Sequence, residues 1–517
     1  MDIHRQLQNL EWCKTDWPKP NISEKAMELL KESAQIPETE LISDIEEIIR
    51  KSKLFPVEHP VENGRMENLK DRVSKENLKK NIASTHPLLH WRVLHLMAEF
   101  LVFKREYGSS IEKEFYKEMT IPEFIDRLLQ KRAVSFLGAN DRYKLITGET
   151  GERRAVGTLK QSPPLVLENC LSYDEIKISA LLYVTGHTEC INDGLRRNAG
   201  KIDDSDIERS AVIVGVIGAR FKRLGRMDYE DMVISKKQNV AANGYGQPEE
   251  PIKRAYRQLW ENFYQIDSLI YNEVTSHVDM QNKRKEKMYG DRFVWLQKDG
   301  VIFDNLTFHR RTSIITETSL LEANRRASEE SKYAYLNVIG CGLGVWRISR
   351  HQNDVFVLSF LQRTSDLMRK GLLNNVSDIN FAYIGTHNKI TAMFNSSSDS
   401  ENDDTTKKKM FLKYKDHPKG GINVQLEDRE PSSRLNGEHE GKLLVMTYPW
   451  DGNAHPGNEF WIGKLWSSGD PAAACSTQIS ELHNAHVNAN VRASNAHVAT
   501  DSGVAHIRDY TRSSTDT

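Results

Sequence analysis

Tyr335-Leu-Asn-Val-Ile-Gly-Cys-Gly-Leu-Gly-Val-Trp346 is the stretch that decides the architecture. A short apolar run rich in branched side chains stops abruptly at three glycines within five positions. Such a run reads as a buried strand, and Gly340, Gly342 and Gly344 free the backbone to take positive φ angles and turn its N–H groups inward. Bare amides at one edge of a sheet form a nest for an anion, here of a size suited to a diphosphate. For the glycines alone, a tight structural bend is the plain alternative. A second segment repeats the form: Leu443-Leu-Val-Met-Thr447 runs into Tyr-Pro-Trp450-Asp-Gly-Asn-Ala-His-Pro-Gly-Asn-Glu459.

Outward from these two segments, further strands are expected at Ile176–Val184, Ala211–Gly218, Val355–Phe360 and Ile379–Ile384, and a helix at Ile252–Tyr271. Strands alternating with helices predict an α/β fold with a parallel or mixed sheet. From about residue 20 to 135 the spacing is helical instead. Asn21-Ile-Ser-Glu24 is a cap-like start, Ile42, Ile45, Ile48 and Ile49 share one face, and Leu88 to Leu101 continue after Pro87. The expected organisation is a helical N-terminal region (1–135), an α/β domain (136–485) with a polar, solvated insertion at 396–441, and a disordered tail rich in Ala, Asn and His (486–517).

Bulk composition narrows the function classes. The 517 residues carry 71 Lys plus Arg against 72 Asp plus Glu, so no global field favours nucleic acid or an anionic membrane, and any phosphate site must be local. Five cysteines, Cys13, Cys170, Cys190, Cys341 and Cys475, form no C-x-x-C pair, which argues against a zinc knuckle or disulfide framework. With no apolar leader and no membrane-length run, the expectation is a soluble intracellular protein, cytoplasmic first, with the nucleus left open.

Familiar nucleotide and hydrolase motifs are absent. Gly340-x-Gly342-x-Gly344 lacks Rossmann spacing. Gly194-Leu-Arg-Arg-Asn-Ala-Gly-Lys-Ile202 has one residue too many for a P-loop, and an Ile where Mg²⁺ needs Ser or Thr. No H-E-x-x-H, G-x-S-x-G or EF-hand loop occurs, and no metal or redox cofactor is expected.

Two clusters remain. In Cys190-Ile-Asn-Asp-Gly194, Asn192 and Asp193 are short side chains able to bond ribose hydroxyls, with Arg196, Arg197 and Lys201 nearby for phosphate. An Asn-Asp-Gly turn with solvated arginines explains the same residues. In Trp450-Asp-Gly-Asn-Ala-His-Pro-Gly-Asn-Glu-Phe-Trp461, Asp451, Asn453, His455, Asn458 and Glu459 crowd among aromatics, with Asp470 following. Aromatic walls suit a ring, and carboxylates suit sugar hydroxyls or a water.

Taken in order, Ser172-Tyr-Asp-Glu-Ile176, Cys190-Ile-Asn-Asp-Gly194, Val214-Gly-Val-Ile-Gly-Ala-Arg-Phe221, Leu321-Glu-Ala-Asn324, Gly340-Cys-Gly-Leu-Gly-Val-Trp346 and Trp450-Asp-Gly-Asn through Gly469-Asp470 resemble the MavL-type macrodomain effector family over roughly residues 85–485. The resemblance implies a macrodomain-like three-layer α/β/α fold that binds ADP-ribose and removes it from protein side chains, in the best-known case from an arginine of ubiquitin. It also implies carboxylates at the distal ribose, matched by Asp451, Glu459 and Asp470, of which Glu459 departs in length from an aspartate pattern. The amides of Gly342, Leu343, Gly344 and Val345 would then hold the diphosphate, Asn192 and Asp193 a ribose, and Trp346 or Trp450 would wall the pocket beside Asn453 and Asn458. Two other classes fit the residues: a non-catalytic reader of ADP-ribosylated proteins and a helical interaction scaffold.

Overall fold

The computed structural model describes residues 6–13, 17–37, 39–57, 61–133, 135–137, 142–246, 250–277, 289–296, 300–395, 408–449 and 478–515. Its frame is a ten-stranded mixed sheet built from β1 (His86–His90), β2 (Leu182–Glu189), β3 (Ser210–Val216), β4 (Ala334–Ile339), β5 (Val376–Ala382), β6 (Lys409–Lys413), β7 (Gly421–Gln425), β8 (Leu443–Pro449), β9 (His497–Thr500) and β10 (Gly503–His506). The spatial order is β6-β7-β5-β4-β8-β3-β2-β1-β9-β10. From β7 through β3 the strands run parallel, so their carboxyl ends share one edge.

Helices used below are α1 (Glu24–Ser33), α2 (Ile45–Leu54), α3 (Lys75–Ala83), α4 (Trp91–Tyr107), α5 (Ile121–Gln130), α6 (Tyr173–Ser179), α7 (Pro251–Tyr264), α8 (Asn305–Glu329), α9 (His351–Arg369) and α10 (Ile507–Thr515). One face of the sheet presents Val212, Val214, Leu336, Val338 and Val445 to a large core shared with α4, α8 and α9. Side chains alternate along a strand, so Ala211, Ile213, Tyr335, Leu444 and Met446 fall on the opposite face. There, over β3, β8 and β4, the cover comes from two extended segments carrying Ile207 and Leu435, joined by a bridge between Ile207 and Ser433. Among the described residues, the helix layer expected on both faces covers the centre of one.

Several expectations are corrected. Ile176–Val184 splits into α6, opened by a capping box between Ser172 and Glu175, and β2. Val355–Phe360 lies inside α9, where every residue of that run is buried and the helical period is hidden. The run after Pro87 belongs first to β1, and the helix begins at Trp91. The N-terminal helices are real, with Ser23 capping α1 and Asp44 capping α2. Yet residues 1–135 also supply β1, and α1, α4 and α5 pack into the same core as the sheet. The insertion expected at 396–441 contains β6 and β7, which edge the main sheet; only 396–407 lies outside the described residues.

The tail expected to be disordered is folded. β9 pairs in parallel with β1, β10 returns beside it, and α10 packs on α1. Asn488 and Asn490, both fully buried, donate to the carbonyls of Ile82 and Ile42. Histidine rings pack along this seam: those of His86 and His497 lie 3.9 Å apart, and His506 stands edge-on to His497 at 5.4 Å. Burial pushes His86 down to about 4, Glu322 opposing and Arg326 and Arg325 reinforcing the fall. Burial likewise holds His497 well below its usual range.

The sign of the resulting pH dependence follows directly. Below the ordinary imidazole pKa of about 6.5 the unfolded chain takes up protons that the folded seam refuses, so this contribution is complete above pH 6.5 and declines as pH falls toward about 4. Each such histidine contributes a slope of at most about 1.4 kcal/mol per pH unit. Denaturant unfolding should therefore show falling stability between pH 6.5 and 4.5, with a shallower decline in His497→Phe. Equal slopes in the two proteins would assign the acid sensitivity elsewhere, for instance to carboxylates.

Candidate active site

Strand β8 lies between β4 and β3, parallel to both, with Asn337 opposite Met446 and Val214 opposite Thr447. The Ile339 N–H donates to Thr447 Oγ1 at 3.0 Å, tying the strand ends together just before their turns begin. The ends of β4 and β8 therefore lie side by side at one edge of the sheet, about 4.8 Å apart. Beyond Pro449 the second turn passes out of the described residues. Trp450, Asp451, Asn453, Asn458, Glu459 and Asp470 all lie there.

The amides of the first turn can be accounted for one by one. The Cys341 N–H donates to the Ile339 carbonyl at 2.8 Å, and the Leu343 N–H to the Gly340 carbonyl at 3.1 Å. Leu343, expected to offer its amide to a ligand, instead uses it to close the turn, and its side chain is buried. Trp346 contributes its carbonyl, which accepts from the Phe221 N–H at 3.2 Å. Among the described residues the amides of Gly342, Gly344 and Val345 make no recorded hydrogen bond. Gly344 has open space around it, and Val345 is 70% exposed.

Two glycines are required by close approach. Gly342 has φ +77°, and a Cβ there would meet the Ala219 carbonyl oxygen at 2.8 Å and the Gly218 Cα at 3.0 Å. A Cβ on Gly218 would in turn overlap the Gly342 nitrogen and the Cys341 carbonyl. The loop after β3 and the turn after β4 thus touch backbone to backbone across the end of β8. Behind them, Asn353 donates to the Gly385 carbonyl at 2.7 Å and accepts from Arg347, while Asp354 accepts from the His387 N–H at 2.8 Å. These contacts join the segments that follow β4 and β5, and nothing in the sequence patterning singled them out.

Asn192 and Asp193 build their own loop. Asn192 is fully buried; its Oδ1 accepts from the Gly194 N–H at 3.0 Å and its Nδ2 donates to the Lys201 carbonyl at 2.9 Å. Asp193 accepts from the Leu195 N–H and the Asn198 amide but keeps a partly exposed side chain, 3.5 Å from Arg197. Ser432 closes over both through its hydroxyl and amide. The local geometry is that of the Asn-Asp-Gly turn.

A cleft of about 950 Å³ is lined by Arg226 of the loop after β3 together with Tyr107, Tyr173 and Tyr256, the Arg226 guanidinium lying 5.4 Å from the Tyr173 ring. Its floor holds Lys104, 2.6 Å from Asp174. Burial works against ionisation of Asp174, and Lys104 outweighs it, holding the carboxyl below its usual range. Tyr173 and Asp174 stand in the Ser172–Ile176 motif, so the signal was visible without its role. Among the described residues no cluster of His, Cys, Asp and Glu could hold a metal ion, and no helix is long and apolar enough to cross a membrane.

Similarity to known proteins identifies the family. The family model described as "ADP-ribosylhydrolase MavL-like" matches residues 46–513. Two Drosophila melanogaster proteins, ADP-ribosylarginine hydrolase CG2909 and ADP-ribosylarginine hydrolase CG3568, are each 37% identical to the chain. The first alignment covers 97% of this chain and 96% of the relative, the second 96% and 94%. The reader and scaffold alternatives give way to an enzyme. The chain belongs to the MavL-like ADP-ribosylhydrolase family and is an enzyme of that class.

Proposed function

We propose that the enzyme releases ADP-ribose from arginine side chains of proteins, using a macrodomain-like pocket at the carboxyl edge of β3, β8 and β4. The observation that carries this reading is the root of the site: β8, whose sequence continues into Asp451, ends beside a turn whose Gly344 and Val345 amides make no hydrogen bond. Both relatives named above are ADP-ribosylarginine hydrolases, aligned over nearly their full lengths.

In this reading the open amides hold the diphosphate, replacing water with fixed dipoles that need no counter-cation. The cleft lined by Tyr173 and Arg226 provides aromatic and cationic space for the adenosine half. Trp346 or Trp450 walls the ribose, with Asn453, Asn458 and Asp193 as polar contacts. Cleavage breaks the bond between the anomeric carbon and the guanidinium nitrogen. Water adds to the carbon, its proton leaves through a carboxylate, and the nitrogen departs protonated as arginine. Asp451 and Glu459 orient the water and stabilise oxocarbenium-like charge, supported by Asp470.

Incubation with arginine-, serine- and glutamate-linked ADP-ribosyl proteins, arginine-modified ubiquitin first, should show free ADP-ribose only from the arginine linkage. Release from serine alone would overturn the linkage. Asp451→Asn and Glu459→Gln should each lower kcat about 10²-fold or more while ADP-ribose affinity stays within about threefold. Normal turnover in both removes the carboxylate assignment. A third variant tests the diphosphate contact. A Cβ at Gly344 meets nothing within 4 Å, so Gly344→Val should fold with parental Tm, and its branched side chain should weaken ADP-ribose binding about tenfold or more.

A further inference from the structure

The loop that backs the glycine turn is held from beneath by one buried ion pair. Arg311, on α8 and 1% exposed, donates from Nε to Asp228 Oδ1 at 3.0 Å. Its Nη2 donates to the Ile217 carbonyl at 2.7 Å and to the Ala180 carbonyl at 3.2 Å. Asp228, 3% exposed, uses its other oxygen to accept the Arg220 N–H at 2.9 Å. One guanidinium therefore grips both ends of the loop running from Ile217 to Asp228, and Asp228 reaches back to Arg220 near its start. The residue after Ile217 is Gly218, whose backbone presses on the Gly342 amide.

We propose that Arg311 and Asp228 are positioning residues for the hydrolase reaction, setting the direction of the Gly342 and Gly344 amides through Ile217 and Gly218. This rests on the reading of the glycine turn as the diphosphate cradle. Neither side chain reaches the ligand: both are sealed beneath the loop. The geometry favours positioning over simple packing because two of the three acceptors Arg311 grips, the Ile217 carbonyl and the Asp228 carboxylate, are the ends of the loop itself. Its planar fork also matches three acceptors that a lysine, with its single nitrogen, cannot span. The diphosphate lies away from the bond being cut, so a misdirected cradle weakens substrate and transition state alike, raising KM with little change in kcat.

The experiment compares four proteins in the full chain: Arg311→Lys, Asp228→Asn, the double variant Arg311→Met/Asp228→Leu, and Val498→Ala as a core-destabilised control in β9. Each is measured for Tm, for ADP-ribose affinity by calorimetry, and for KM and kcat on arginine-linked substrate. Arg311→Lys and Asp228→Asn should raise KM and weaken ADP-ribose about tenfold, with kcat within about threefold of the parent. The apolar double variant removes the buried charges together, a change often neutral for stability. It should recover Tm relative to the single variants and still bind weakly, whereas Val498→Ala should lose Tm and keep its affinity. Parental affinity and KM in both single variants and the double variant would overturn the positioning role while leaving the hydrolase reading intact. Absence of ADP-ribose binding by the parent enzyme would overturn both.

Discussion

Helix α8 is a polar spine in a place where polar residues are expensive, and the molecule is arranged to satisfy it. Nearly all of its length is buried, including Arg310, Arg311, Glu317, Glu322 and Arg326. Each charge finds its partner on another element or one turn away. Arg310 donates to the carbonyls at the end of α7, and Arg311 grips Asp228. Glu317 joins His90 to Arg363, and Glu322 accepts from Arg325 and Arg326 beside His86. A buried pair gains little net stability over apolar packing, yet leaving one member alone costs about 3–5 kcal/mol. The spine therefore acts mainly as a specification: loops, strand ends and the C-terminal hairpin must sit where these charges require them.

From that requirement the position of the active edge follows. The loop after β3 is gripped from below by Arg311 and meets the turn after β4 through two glycines that tolerate no side chain. Between them runs β8, hydrogen-bonded to β4 through Thr447. An edge built from parallel strand ends gathers loop amides in one place, and β8 ends there at Pro449. The fold brings the glycine turn after β4 and the last described residue of β8 to adjacent strand ends.

Parts of this were legible before any coordinates. The β3, β4 and β8 runs are apolar on both faces and bounded by glycine or proline, a pattern with few other readings. The Gly340–Gly344 turn was recognisable as an exposed-amide device, although Leu343 proved to close the turn with its own N–H. Asn192 was misjudged because a short amide serves a ribose and a turn equally well in one dimension. In α9, the stretch 351–361 is buried on every side and shows no exposed polar stripe, so Val355–Phe360 read as a strand. The tail misled for the opposite reason: Asn488, Asn490 and His497 are polar in composition but pack inside the fold with hydrogen-bond partners.

By itself the sequence determined the local vocabulary: strands ending in glycine turns, capped helices, balanced charge, and a set of motifs in an order that marks the family. Those features depend on neighbours within a few residues, which the chain states outright. Tertiary structure alone decided which amides stay open, that Gly218 and Gly342 meet, that residues past 486 complete the sheet, and that Arg311 finds Asp228 83 positions away. Each of these depends on which buried polar group is left without water and must find a partner across the fold, a condition set by three-dimensional proximity and invisible along the chain.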